Sequence, residues 1–261
     1  KAADGGDMDS IIMYGKMKLN GDGVPVDKKE ASKYLKKAAD NGDANSISLY
    51  KELIFSGELV DKKESIDYIK RLADSGDGES IFEYAKMLEN GNGVSVNKQE
   101  AIEYYRISAS KGRVESFYRC AKILDSFNDP EAIDFYKRAA YFYHHTESMY
   151  EYALILKNGK GVGVDKNKAC EFFKLASEDG HIDSMNEYNQ LLMEAEGDLN
   201  ISELRKYLKP AAEKGKTESM YLYGWDLIKG RSYPMNIKEG VKLIKMSAEK
   251  GNKNALEFKT R

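Results

Sequence analysis

The sequence predicts an all-α fold: a right-handed α-solenoid (superhelix) of antiparallel helix pairs. Three observations support this fold class. A serine recurs along the chain at intervals of 32–36 residues, apolar residues follow each serine at helical spacing, and a glycine closes most units. Internal periods of this length are typical of arrays in which each unit packs against its neighbours. We therefore expect about seven repeats of 32–36 residues.

The first helix of each repeat is defined by that serine. A hydrophobic residue follows it at offset 1, a tyrosine or cysteine at offset 4, and an apolar residue at offset 8 in six of seven copies. Offsets of 1, 4 and 8 share one face of a helix, which excludes a strand. Tyrosines at offset 4, such as Tyr84 and Tyr152, are therefore expected in the core. The serines are Ser10, Ser46, Ser80, Ser116, Ser148, Ser184 and Ser219.

The second helix also has a recurring pattern. A small residue such as Ala31 or Ala101 opens its buried stripe, an aromatic residue usually follows three positions later, and another small residue follows at eight. A glycine then ends the helix in most copies, because glycine adopts the left-handed conformation without steric cost. Asp7, Asp43 and Asp77 directly follow glycines and suit the N-cap of the next helix.

These patterns divide the chain into repeats and predict a single α-solenoid over residues 1–261. The fourth repeat ends in Tyr141–His145 without a glycine, so we expect a local change in stacking there. Both ends align with the interior of a repeat, and we expect the chain to be a segment of a longer protein. The predicted repeats are 7–42, 43–76, 77–112, 113–143, 144–180, 181–215 and 216–251, with partial repeats at 1–6 and 252–261.

Several loops carry a Gly-x-Gly-Val string, at Gly21–Val24, Gly91–Val94 and Gly159–Val162. Together with Lys29–Ala31 and Lys37–Ala39 in the first copy, these strings resemble the Sel-one-like repeat family, which is related to the tetratricopeptide repeats. The resemblance covers essentially the whole chain. It implies a non-enzymatic adaptor or scaffold that binds a protein or peptide, with the first helices lining a concave groove.

By this resemblance, groove positions lie one residue before each serine and at offsets 2, 6, 9 and 10. The position before the serine is acidic in six of seven copies, and the position at offset 2 is often aromatic. Such a surface suits a partner with basic and apolar side chains. Two other interpretations stay open: the acidic residues stabilise the helix dipole, and the aromatic residues pack between repeats. The candidate groove residues are Glu79, Phe82, Glu115, Tyr118, Glu147, Tyr150, Tyr221 and Trp225.

Composition disfavours several other classes of protein. The net charge of −2 means that the sequence has no excess of positive charge for binding nucleic acid. No apolar run approaches the ~20 residues of a membrane span. The two cysteines, Cys120 and Cys170, form no disulfide framework, so we expect a reducing, cytoplasmic location. We expect Cys120 to pack in the core.

Catalytic, metal and cofactor sites are not expected. His144 and His145 are adjacent, so on a helix they point apart and do not form a metal-binding pair. The Ser-x-x-Lys strings at Ser48 and Ser108 lack the other motifs of penicillin-recognising enzymes. The alternative to a groove-binding scaffold is a structural spacer or self-association segment of a larger protein. We expect this segment to be monomeric.

Overall fold

The computed structural model describes residues 7–57, 62–194, 201–231 and 233–259, which form fifteen α-helices and no strand. The all-α prediction is therefore confirmed. The helices are α1 (Met8–Asn20), α2 (Lys28–Asp40), α3 (Ala44–Phe55), α4 (Lys62–Asp74), α5 (Gly78–Asn90), α6 (Lys98–Ser110), α7 (Val114–Ser126), α8 (Glu131–Tyr143), α9 (Thr146–Asn158), α10 (Lys166–Glu178), α11 (Ile182–Glu194), α12 (Ile201–Glu213), α13 (Thr217–Lys229), α14 (Ile237–Glu249) and α15 (Lys253–Lys259). None of these helices is long and apolar enough to cross a membrane.

The chain divides into two compact units, Lys1–Lys111 and Gly112–Arg261. Unit 1 contains α1–α6 and unit 2 contains α7–α15. The division falls one residue before the predicted boundary between the third and fourth repeats. In both units, consecutive helices pair as the sequence predicts. The number of repeats, the handedness and the single array remain predictions.

Five helix pairs share an edge-on aromatic contact between their two helices. In the first pair, Tyr14 of α1 meets Tyr34 of α2 edge-on, with ring centroids 4.8 Å apart. Lys18, one turn after Tyr14, pairs with Glu30, one turn before Tyr34, so the two helices are antiparallel. Such edge-to-face contacts stabilise a core beyond the area they bury. The same contact recurs as Tyr50–Tyr68, Tyr84–Tyr104, Tyr152–Phe172 and Tyr188–Tyr207.

The predicted core residues lie inside the units. Tyr84 and Tyr152 are each about 5% exposed, and Cys120, which replaces tyrosine in the fourth repeat, is fully buried. These packing predictions are confirmed. In the last pair, Gly224 of α13 faces Gly240 of α14 so closely that a Cβ on either would lie within 2.7 Å of the other's carbonyl oxygen. This close contact explains why both positions hold glycine here, whereas several other repeats have alanine at the same positions.

The first helices of unit 1 begin as predicted. The carboxylates of Asp7, Asp43 and Asp77 each accept a hydrogen bond from the backbone N–H of the serine three residues later. These bonds satisfy an otherwise unpaired donor at the helix start. Hydrogen bonding to the side chain and the backbone N–H of the serine lowers the pKa of Asp7 and Asp43. Burial opposes this lowering at Asp77, but Ser80 and Lys51 together still hold the pKa of Asp77 below its ordinary value.

The fourth repeat closes differently from the others. α8 continues to Tyr143, and His144 takes the left-handed conformation, with φ 49°, where other repeats use glycine. The following helix, α9, begins with His145 as its N-cap. α8 has the same length as α2 and α6, but it ends two residues later relative to the small residue that opens the buried stripe.

Candidate functional site

Three candidate residues in unit 2 lie around one histidine, and a fourth, Tyr150, follows on the same helix as Glu147. The Nε2 atom of His145 is 3.5 Å from a carboxylate oxygen of both Glu115 and Glu147. The Tyr118 ring lies against the imidazole, with centroids 5.2 Å apart. This arrangement brings together residues of α7 and α9 that are about 30 positions apart in the sequence. We call Glu115, Tyr118, His145, Glu147 and Tyr150 the α7–α9 cluster.

The local fold of His145 explains its position. Its Nδ1 atom accepts a hydrogen bond from the backbone N–H of Ser148, at 3.3 Å, and so caps α9. A neutral imidazole that accepts at Nδ1 carries its proton on Nε2, and this is the atom that faces the two carboxylates. The cap therefore fixes the ring beside Glu115 and Glu147.

A second histidine repeats this geometry one repeat later. His181 Nδ1 accepts from the backbone N–H of Ser184 at 3.2 Å. Its ring lies 4.7 Å from that of Tyr150, measured between centroids. Tyr118 and Tyr150 are both half-buried, so each presents part of its ring to solvent while the next repeat supports the remainder.

Ion pairs also form within α7 and between α7 and α9. Arg119 pairs with Glu115 at 2.8 Å within α7, and Lys122 of α7 pairs with Glu151 of α9 at 3.3 Å. Glu147 differs, because among the described residues its side chain contacts His145 and no lysine or arginine. Its side chain is 53% exposed.

Burial changes the acidity of the two tyrosines. It raises the pKa of Tyr118, and nearby carboxylates act in the same direction, whereas Lys122 opposes them. Burial, with the charges of Asp183 and Glu187 adding to it, raises the pKa of Tyr150 to about 12. Both phenols are therefore neutral hydrogen-bonding groups at physiological pH.

Tyr221 and Trp225 form a separate cluster near the end of unit 2. Both lie on α13, and the Trp225 indole N–H donates to the Tyr221 hydroxyl at 2.7 Å. Trp225 also meets Phe258 of α15 edge-on, with centroids 5.2 Å apart. Both rings are partly buried against this last helix, so packing already uses part of each surface.

The two candidates in unit 1 have different surroundings. Glu79 is exposed and pairs with Lys51 at 2.9 Å. Phe82 is only 4% exposed and packs against Tyr105, so the packing interpretation applies to it. A buried ring cannot contact a ligand without rearrangement, and we leave Phe82 out of the candidate surface.

The serines of the two Ser-x-x-Lys strings and the possible metal ligands have the following surroundings. The Ser48 hydroxyl donates to the Ala44 carbonyl, and Lys51 is held by Asp77 and Glu79. Ser108 is buried. No three His, Cys, Asp or Glu side chains of the described part of the chain converge on a point that could hold a metal ion.

Comparison with known proteins now identifies the family. The family model described as the Sel1 repeat matches residues 9–43, 78–112, 126–141, 146–181 and 217–252, which is more than half of the chain. The chain belongs to the Sel1 repeat family. Sel1 repeats are generally protein–protein interaction modules and are typically non-enzymatic. No curated protein sequence matches this Sel1 repeat chain.

Solved structures show the same fold. A protective antigen of uropathogenic Escherichia coli strains, which displays an SLR fold, superposes with a TM-score of 0.73 at 21% identity over 97% of this chain. A Sel1 repeat protein from Oxalobacter formigenes superposes with a TM-score of 0.71 at 19% identity over 99% of this chain. The chain spans 56% of the first protein and 77% of the second. At these identities, the likeness establishes the Sel1 solenoid fold alone.

Sequence reasoning missed the two cap histidines of these Sel1 repeats. The adjacency of His144 and His145 draws attention to metal binding alone, and no motif marks His181. Both lie three residues before the register serine, where Asp7, Asp43 and Asp77 cap their helices. Aligning the repeats on that serine is the signal that could have found them.

Proposed function

We propose that the α7–α9 cluster is part of a binding surface for a peptide or protein segment that carries basic and apolar side chains. The observation that carries the proposal is the pairing of two half-exposed tyrosines with exposed carboxylates on adjacent first helices. Tyr118 and Tyr150 occupy the same register, and Glu115 and Glu147 precede them by three residues.

The tyrosines can provide the apolar part of recognition. Each ring is already supported on one side by a histidine, so ordering it for a partner costs little conformational entropy. Partly buried aromatic side chains of this kind often dominate interface energies, with truncation costing about 2 kcal/mol or more at a hot spot. That cost corresponds to roughly a 30-fold weaker affinity.

The carboxylates can provide the polar part of recognition. Glu147 contacts no lysine or arginine among the described residues, so a partner's lysine or arginine does not have to displace one from it. Glu115 is already paired with Arg119. We therefore assign the main cation contact to Glu147 and a supporting role to Glu115.

Selection from a displayed random-peptide library on the whole chain tests this function. We expect the selected peptides to combine lysine or arginine with leucine, isoleucine, phenylalanine or tryptophan. Their binding should weaken at least tenfold with Glu147→Lys and about 30-fold with Tyr118→Ala or Tyr150→Ala.

The matched control is Glu171→Lys. Glu171 is an exposed residue of α10 in the same unit, so the control makes the same change in net charge on a second helix. It should leave peptide binding unchanged. Selected peptides that bind equally to Glu147→Lys, or that lose binding equally with Glu171→Lys, would overturn the proposal.

One observation favours the alternative function of a self-association segment. Phe142, near the end of α8, is 77% exposed, which is the largest exposure among the described large hydrophobic residues. Large exposed apolar side chains often mark interfaces. Light scattering of the whole chain tests this alternative: a dimer that Phe142→Ser converts to a monomer supports it, and a monomeric parent chain rejects it.

A further inference from the structure

A groove in unit 1 lies between α2 and α4, on the second helices rather than the first. Its volume is about 1020 Å³, and Tyr50 of α3 also lines it. Lys29, Lys33 and Lys37 of α2 line the same groove, and we call them the lysine stripe. We propose that this groove binds an extended acidic segment of a partner protein. This surface is separate from the α7–α9 cluster and requires the opposite charge in its partner.

The carboxylates near the start of α2 are already engaged. Asp27 caps the helix by accepting the backbone N–H of Glu30 at 2.9 Å. Glu30 pairs with Lys18 at 2.7 Å and also accepts from the Tyr14 hydroxyl. These two acidic residues line the groove but do not neutralise the lysine stripe.

The carboxylates near the end of α2 and at the start of α4 are engaged as well. Lys36 bridges Asp40, at 2.8 Å, and Glu64, at 3.2 Å. Asp40 also contacts Arg71 at 3.3 Å. The ion pairs raise the pKa of Lys36, first through its hydrogen bond to Asp40. Every acidic residue that is described as lining the groove therefore has a partner.

The lysine stripe has no such compensation. No described residue forms a hydrogen bond or ion pair with the ammonium groups of Lys29, Lys33 and Lys37. Four lysines and four carboxylates line the groove, and Lys18 and Arg71 pair with Glu30 and Asp40 from outside this lining, which leaves a local excess of two positive charges. A local excess of one sign of charge attracts ligands of the opposite sign.

The spacing of the stripe points to an extended ligand. Lys29, Lys33 and Lys37 are four residues apart, which corresponds to about 6 Å along a helix. Alternate side chains of an extended chain lie on one side at intervals of about 6.6 Å. Acidic residues at every second position can therefore meet successive lysines, whereas acidic residues at every third position, about 10 Å apart, cannot.

The stripe is not a requirement of the fold. In the third repeat, the same three positions of α6 are Gln99, Glu103 and Ile107, and α6 has the same length as α2. Replacing the lysines should therefore leave the helices intact. This makes the proposal testable on the whole chain.

The test uses fluorescence anisotropy at low ionic strength with two labelled threonine-based peptides of twelve residues, each with three glutamates. One peptide carries them at every second position and the other at every third. We expect the first to bind several-fold more tightly. The variant Lys29→Gln/Lys33→Gln/Lys37→Gln should weaken its binding about fivefold or more, since exposed ion pairs each change an affinity by roughly 1.5- to 5-fold.

The matched control is Lys238→Gln/Lys242→Gln/Lys245→Gln in α14, which removes the same charge from exposed positions of another second helix. It should retain binding, and circular dichroism should show that both variants keep the parent helicity and melting. Equal binding of the two peptides, or an equal loss in both variants, would reject the proposal. Because the α7–α9 cluster is in unit 2, failure here leaves the proposed function standing, and Glu147→Lys should not affect this peptide.

Discussion

Asn189 offers the sharpest test of how these repeats are packed. It lies on α11, five residues after the register serine, and its side chain is fully buried. In the described structure, neither its amide nitrogen nor its amide oxygen has a hydrogen-bond partner. The same position holds Ala85, Ala121 and Ala153 in other repeats, and these alanines are also fully buried. We therefore predict that Asn189→Ala stabilises unit 2.

The size of the effect follows from two opposing terms. Burying an amide without compensating hydrogen bonds costs about 1–3 kcal/mol by mutational measures. Alanine is smaller by about 25 Å³, and at ~24 cal/mol per Å³ of residual cavity this costs about 0.6 kcal/mol. The net expectation is a gain of roughly 0.4–2.4 kcal/mol in the free energy of unfolding. With an m-value of about 2 kcal/mol per M in urea, the midpoint should rise by roughly 0.2–1.2 M.

Urea unfolding followed by tryptophan fluorescence measures this change. Trp225 is the only tryptophan in the chain, and it lies in unit 2 together with Asn189, so its signal reports on the relevant unit. The converse substitution Ala153→Asn introduces the same amide at the matching position and should lower the midpoint. If Asn189→Ala also lowers the midpoint, the amide makes contacts that stabilise the fold, and the reasoning is wrong.

Three further predictions concern the backbone and the tyrosines. Gly240→Ala should destabilise unit 2 by about 1–3 kcal/mol, because its Cβ would lie 2.6 Å from the Gly224 carbonyl oxygen; an unchanged urea midpoint would contradict this. His144→Gly should raise the free energy of unfolding by about 1 kcal/mol, since glycine removes the cost of the left-handed conformation; alanine at that site, as control, should not. Burial raises the pKa of Tyr50 and Tyr150 to about 12, so their stabilisation should be complete below pH 10 and decline between pH 10 and 12. Absorbance at 295 nm checks this ionisation, and normal titration of both phenols in the folded chain would refute it.

The regular parts of this fold could be predicted from sequence because they depend on local spacing. Helix pairs, glycine ends and the aspartate caps repeat at fixed offsets, and each depends on residues within one turn. The tyrosine core could be predicted for the same reason. Tyr84 and Tyr152 occur at an offset that only a helix places on the buried face.

The candidate surface was harder to predict because its exposure depends on contacts between repeats. Phe82 and Tyr118 share an offset, yet Phe82 is buried against Tyr105, whereas Tyr118 lies half-exposed beside His145. Phenylalanine has no hydroxyl group to satisfy, so it can be enclosed, whereas a tyrosine hydroxyl needs a polar surrounding. The acidic row could be read from the sequence, but the cations that pair with it could not. Arg119 comes from the same helix and Lys51 from the preceding first helix.

The N-terminal cap of α13 limits how the chain can be divided into separate repeats. At the start of α13, Lys216 occupies the cap position without capping, and the Asn186 side chain of α11 accepts the backbone N–H of Ser219 instead. A fragment that began at residue 216 would lose this acceptor, although it contains both helices of its own repeat. Modules excised at the periodic boundaries are thus incomplete here. Any shuffled or transplanted version of the seventh module must either bring Asn186 with it or replace Lys216 by aspartate.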